Sequence, residues 1–317
     1  MSGAAFTGLP RMTEKHLARE GATIAFDLHG DPTAPWSARP LLVIGSPMGA
    51  SGFTDLVELL VARGDRLVVT YDPRGVERSM RSDGAGELTP RDHAADLGAL
   101  VEEVLAATRS ADGEPADGSD GHHAVDVFAS SGGAVNALAL VQQHPDLVAT
   151  LVAHEPPLLA LLPDREAASA AVEHIVATYA REGAGAGMVR FILLVGHTGE
   201  LTPAFSAQAF PPPAAFGMPA EDDGSRDDAL LAQNLRTCTA FVPDLEALRA
   251  VGTRIVPAAG VESTGQLAHR AAEALASELG VAAAPFPGDH GGFMGPQMGA
   301  AGPPTAFADR LLEVLAG

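Results

Sequence analysis

Along the chain, short unbroken apolar runs alternate with longer stretches whose apolar residues recur at helical spacing. The runs are Leu41-Leu42-Val43-Ile44, Leu67-Val68-Val69-Thr70-Tyr71, Val125-Asp126-Val127-Phe128 and Thr150-Leu151-Val152-Ala153-His154. A strand covered on both faces needs apolar side chains pointing both ways, so it loses the polar alternation of a half-exposed strand. Between the runs, Phe53, Leu56, Leu59 and Leu60 share one helical face, and Leu97, Leu100, Val101, Val104 and Leu105 share another. Thr89-Pro90 supplies an N-cap and a first-turn proline for the second of these helices. Ahead of them, His16–Arg19 and Ala22–Leu28 predict a short antiparallel hairpin turning at Glu20-Gly21. Residues 1–12 have no period and are expected to be a loose tail, and the Gly-, Asp- and Ser-rich residues 109–122 a surface loop.

The alternation breaks at Pro156-Pro157. From there to about residue 250 the pattern is helical, over Ala167–Arg181, Met188–Val195 and Asp228–Phe241, with a Pro- and Phe-rich passage from Pro203 to Pro219. Strand and helix then resume: a strand over Arg254–Ala258, a helix over Gln266–Leu279, a strand over Ala282–Phe286 and a closing helix over Pro304–Leu315. Strands alternating with helices imply a doubly wound, mostly parallel sheet with right-handed crossovers. The expected fold is therefore α/β, a core domain of residues 13–156 and 251–317 interrupted by a helical cap, residues 157–250.

Composition narrows the function classes. A formal charge of −20 and a pI near 4.8 repel a phosphate backbone, which argues against a nucleic-acid partner. The single cysteine, Cys238, rules out an intramolecular disulfide and a cysteine-based metal site. Neither a basic-then-apolar leader nor an apolar run of about 18 residues is present, so the expectation is a cytoplasmic protein that does not enter a membrane.

Candidate chemistry gathers where the predicted strands end, the side on which open α/β sheets hold their ligands. Ala129-Ser130-Ser131-Gly132-Gly133 has small residues two places either side of Ser131, the requirement for a sharp strand-to-helix turn with a serine at its apex. Ser130 fails that requirement, since its own flanking positions are Phe128 and Gly132. A serine hydroxyl needs a base, and His290, among glycines after the last strand, is the best placed; His93, His144 and His174 fall on or at the ends of helices. The imidazole needs a carboxylate to fix its tautomer. Glu155, just after the strand that follows Ser131, and Glu262, after the next one, compete for that role. The Gly132 amide, at a helix N-terminus, and the Ser46 amide, in the turn Gly45-Ser46-Pro47-Met48, are the candidate donors to an oxyanion. Phe205, Phe210, Phe216 and Met218 in the cap suggest a partly apolar substrate group. This chemistry requires no metal and no organic cofactor.

Together these motifs resemble the α/β-hydrolase superfamily over nearly the whole chain. Ala129–Gly133 looks like its nucleophile elbow, and Gly45-Ser46-Pro47 is similar to its oxyanion loop, with Ile44 where a histidine is common. Asp72-Pro73-Arg74-Gly75-Val76-Glu77-Arg78-Ser79 is similar to a loop in which Glu77 replaces a second glycine. The order nucleophile, acid, histidine is that of the family. The family's commoner acid position falls here on Ser263, one residue from Glu262, whereas Glu155 matches the arrangement of some haloalkane dehalogenases. Those enzymes and the epoxide hydrolases use an aspartate nucleophile, so Ser131 argues against both activities. The resemblance implies a serine hydrolase acting on an ester or lactone through an acyl-enzyme. The same scaffold also carries cofactor-free eliminations, C–C cleavage, perhydrolase chemistry and small-ligand receptors.

Overall fold

The computed structural model describes residues 12–84, 86–108, 123–219, 221–300 and 302–317. Strands β1 (Met12–Arg19) and β2 (Ala22–His29) form the antiparallel hairpin, in register from Arg19 opposite Ala22 to Met12 opposite His29. Gly21, at φ +68°, makes the turn between them. The first strand starts at Met12, earlier than its sequence pattern suggests, because alternate residues of β1 face solvent and carry no apolar signal. The expected tail before it and the expected loop 109–122 lie outside the described residues.

Next come β3 (Leu41–Ile44), α1 (Thr54–Arg63), β4 (Val68–Tyr71), α2 (Pro90–Ala107), β5 (Val125–Ser130), α3 (Gly132–Gln143) and β6 (Val148–His154). Five helices follow: α4 (Arg165–Glu182), α5 (Ala184–Val195), α6 (Pro203–Ala207), α7 (Leu235–Thr239) and α8 (Leu245–Ala250). The chain closes with β7 (Arg254–Gly260), α9 (Leu267–Leu279), β8 (Ala284–Phe286) and α10 (Thr305–Ala316). Helix α2 starts on a capping box in which Thr89 and Asp92 each satisfy the other's backbone amide.

The eight strands lie in the order β1-β2-β4-β3-β5-β6-β7-β8. Strand β2 runs antiparallel to both its neighbours, and β4 through β8 are parallel. Successive residues of the central strands bury opposite faces. Leu42, Ile44, Val127 and Ala129 pack with apolar residues of α2, α3 and α9, while Leu41, Val43, Phe128 and Val152 pack with α1 and α10. Both faces being covered, the strands read as continuous apolar runs.

Chain direction reverses at β3: the next strand, β4, is added on one side of it and β5 on the other. The carboxyl ends of β3 and β5 therefore meet, Ile44 in register with Ala129, and open a crevice at the switch point. Above that crevice stand α4, α5 and the segment before α7. The periodicity of Asp228–Phe241 predicts one helix, but the segment begins as a π-turn, Ala229–Asn234, capped by the Asp228 carboxylate on the Leu230 and Leu231 amides. It is tied to the sheet domain: Leu88 N–H donates to Gln233 O at 2.8 Å, His93 is hydrogen-bonded to Asn234, and Arg236 pairs with Glu87. Among the described residues, no helix is long and apolar enough to cross a membrane.

Candidate active site

The elbow follows from two tight approaches. Ser131 has φ +55° and ψ −127°, a conformation that costs a non-glycine residue on the order of 1–3 kcal/mol. Its amide still donates to His154 O at 2.9 Å, so β5 stays in the ladder to its last residue before the chain turns. The helix that starts there runs against the backbone of β3's end. A Cβ on Gly132 would lie 2.5 Å from Ser46 O, and one on Gly133 2.6 Å from Ile44 O. Since those neighbours are main-chain atoms, only glycine fits at either position. The same closeness brings the Gly132 and Ser46 backbones together, and neither amide has a hydrogen-bond acceptor among the described residues.

The turn after β3 is braced from behind. Asp72, fully buried, accepts from the Ala50 amide at 2.9 Å, and Glu77 accepts from Ser51 Oγ at 2.6 Å. Glu77, at φ +45°, lays its carboxylate over Gly49, where a Cβ would come within 2.7 Å of it. Arg74 turns away from the crevice and forms a bidentate pair with Asp96 at 2.7 and 2.8 Å.

His290 meets Glu155, not Glu262. Its Nδ1 lies 2.6 Å from Glu155 Oε2, so that nitrogen carries the hydrogen and donates, leaving Nε2 to accept. Glu262 is exposed in a short turn after β7. Glu155, at φ +49°, is completely buried, and its other oxygen accepts from the Gly260 amide at 2.8 Å and from Ser263 Oγ. Burial alone would raise its pKa. The hydrogen bond and charge of His290, with the Ser263 hydroxyl, outweigh it and hold the carboxyl at about 2. Gly260 admits the histidine loop, because a Cβ there would strike Gly288 O and Asp289 O at 2.6 and 2.7 Å.

Sequence reasoning missed three of these neighbours. Ser263, in the position where the resemblance expects an acid, donates to the Glu155 carboxylate. His269 lies buried behind Glu155, its Nδ1 3.0 Å from Gly260 O. His154 is stacked against His290 with ring centroids 6.2 Å apart, and its Nδ1 is 3.1 Å from Ser130 Oγ. Both serines line the same cavity, but the Ser130 hydroxyl is engaged with His154. Burial lowers the His154 pKa to about 3, so the ring is neutral.

Ser46, Ser131, Gly132 and His290 all line one cavity of about 390 Å³. Its walls come from Leu159, α4, α5, the π-turn, α7 and the start of α9. Phe205, Phe210, Phe216 and Met218 are absent from the lining: Phe205 and Phe210 pack on each other, and Phe216 is exposed. Phe205 and Phe210 belong to the packing of the cap, and the apolar lining of the cavity comes instead from residues such as Phe191, Leu194 and Leu235.

The sheet order, the strained serine between β5 and α3, and the histidine loop after β8 are those of the α/β-hydrolase fold, and the chain has that fold. No family model matches the chain. It is 28% identical over 232 residues to the uncharacterized hydrolase YraK of Bacillus subtilis (strain 168), covering 71% of this chain and 73% of that protein. A hydrolase from Pseudomonas aeruginosa PA01 superposes with a TM-score of 0.62 at 18% identity, over 96% of this chain and 98% of that one. A thermophilic esterase from Thermogutta terrifontis superposes with a TM-score of 0.59 at 17% identity, over 96% and 97% of the two chains.

Proposed function

We propose that this protein is a serine hydrolase that cleaves a carboxylic ester or lactone of a small, partly apolar molecule through an acyl-enzyme. The observation that carries the proposal is the placement of Ser131, at a strained turn, on the same cavity as a histidine whose Nδ1 is held by a buried carboxylate. Ser131 Oγ attacks the carbonyl carbon while His290 Nε2 takes its proton, and the Glu155 carboxylate stabilises the imidazolium. The carbonyl oxygen becomes an oxyanion facing the Gly132 and Ser46 amides. Collapse breaks the bond to the alcohol oxygen, which receives the proton from His290. A water then repeats the sequence on the acyl-enzyme, releasing the acid and Ser131. The esterase and hydrolase names among the similar proteins support this choice over the other chemistries of the fold.

The test combines 4-nitrophenyl acetate hydrolysis with labelling by a fluorophosphonate. Both are expected in the native protein and both are expected to vanish in Ser131→Ala. In the same assay Glu155→Gln is expected to lower kcat about 10³- to 10⁴-fold, by analogy with loss of a triad acid, and Glu262→Gln to leave it unchanged. Hydrolysis that survives Ser131→Ala rejects the nucleophile; a larger loss at Glu262 rejects the acid.

A further inference from the structure

The cavity around Ser131 is surrounded by polar side chains that are already occupied. Ser130 Oγ is bonded to His154. Asn234 uses both ends of its amide, Oδ1 at 2.7 Å from His93 Nε2 and Nδ2 donating to Ala229 O at 2.7 Å. Thr239 Oγ1 donates to Leu235 O at 2.7 Å. No aspartate, glutamate, lysine or arginine is among the lining residues. Outside the reacting groups, the free polar side chains there are those of Ser46 and Gln266, both uncharged. The rest of the wall is hydrocarbon, thioether and thiol, including Leu159, Phe191, Leu194, Leu230 and Cys238. The Cys238 thiol, buried, has its pKa pushed up to about 12 and adds no charge.

We infer that the natural substrate is an ester uncharged and chiefly hydrocarbon in the part the cavity encloses, with no carboxylate, phosphate or ammonium there. The inference rests on the hydrolase reading above and specifies its substrate class. A carboxylate brought into this cavity leaves water without meeting a cation, which disfavours its binding. The Glu155 carboxylate lies behind His290, and the whole chain carries a charge of −20, so the field also opposes an anion. A substrate ammonium would find no carboxylate on the wall. Each methylene entering the cavity contributes about 0.8 kcal/mol, equivalent to roughly 4-fold in kcat/KM.

The experiment is a substrate series on the native protein: the 4-nitrophenyl esters of acetate, butyrate, valerate and hexanoate, with mono-4-nitrophenyl glutarate as a charged ester of valerate's chain length. Expected are a kcat/KM that rises from acetate to hexanoate and a glutarate ester at least about 10²-fold below the valerate ester. A glutarate ester cleaved as well as the valerate ester, or a flat profile along the neutral series, overturns the inference. Fluorophosphonate labelling separates the two levels. Labelled Ser131 with the wrong preference rejects the substrate class alone, whereas no labelling and no cleavage of any ester rejects the hydrolase reading on which it rests.

Discussion

Glu155 and His154 are neighbours in sequence with opposite responses to burial. Glu155 keeps its charge inside the protein because His290, Gly260 and Ser263 all donate to it. His154 has one partner, Ser130; its Nε2 is buried with none among the described residues, and aromatic rings surround it. Its pKa of about 3 lies below the ordinary value of 6.5, so the unfolded chain binds a proton that the native one refuses. Stability therefore falls as pH drops from 6.5 towards 3. Glu155, held at about 2, adds a loss that begins only below about pH 4.5. Between pH 7 and 5 the His154 share is about 2 kcal/mol, so His154→Gln is expected to reduce the fall in unfolding free energy, read from urea titrations over that interval, by that amount. An unaltered pH slope would assign the acid sensitivity elsewhere, His93 being the next buried histidine with a lowered pKa. At this scale the sequence was informative about types and silent about partners. Ser131, His290 and Glu155 could be named from motif and position, Glu155 ahead of Glu262 by its place and spacing, but the contact itself could not, because it depends on which carboxylate the fold turns inward. Ser263 carried the negative half of that signal, a hydroxyl where the resemblance expects an acid.

Helix α3 and strand β3 touch through bare backbone, and that contact decides where Ser131 sits. Gly133→Ala is expected to cost roughly 1–3 kcal/mol in thermal or urea denaturation and to lower kcat/KM, since α3 has to lift away from Ile44 O and carries Ser131 with it. A variant with native stability and native activity would show that the approach is looser than described. Elements whose pattern reflects full burial, such as β3 to β6, were legible because two covered faces leave an unbroken apolar run. Helices α6 and α8, of five and six residues, were not, being too short to complete the spacing that identifies a helix. The π-turn escaped for another reason. Its apolar residues Leu230 and Leu231, with Leu235 of α7 just beyond, also suit an α-helix, and the i→i+5 pattern changes the hydrogen-bond ladder without changing composition. The cavity wall was hidden similarly: Leu194 and Ile175 are chemically alike members of one apolar core, and only their placement makes the first line the cavity.

At the scale of the whole molecule, residues far apart in sequence are gathered under one sheet edge, His290 lying 135 residues beyond Glu155. What holds them is a cluster of rings on the far face of the sheet from α2 and α3. Phe286 and Phe293 bracket the histidine loop and are both buried. They meet Phe128 of β5, three residues before Ser131, Phe53 beside the turn that follows β3, and Phe307 of α10. The turn after β3, strand β5 and the histidine loop thus each send a ring into a shared apolar cluster, and the histidine loop cannot swing out without emptying it. Exchange of the amides around His290 should therefore proceed by opening of the entire domain, with no cheaper subglobal route. In a urea titration, inactivation and loss of far-UV ellipticity are expected to share one midpoint, and an enzyme that dies before it unfolds would mean that the loop is released on its own.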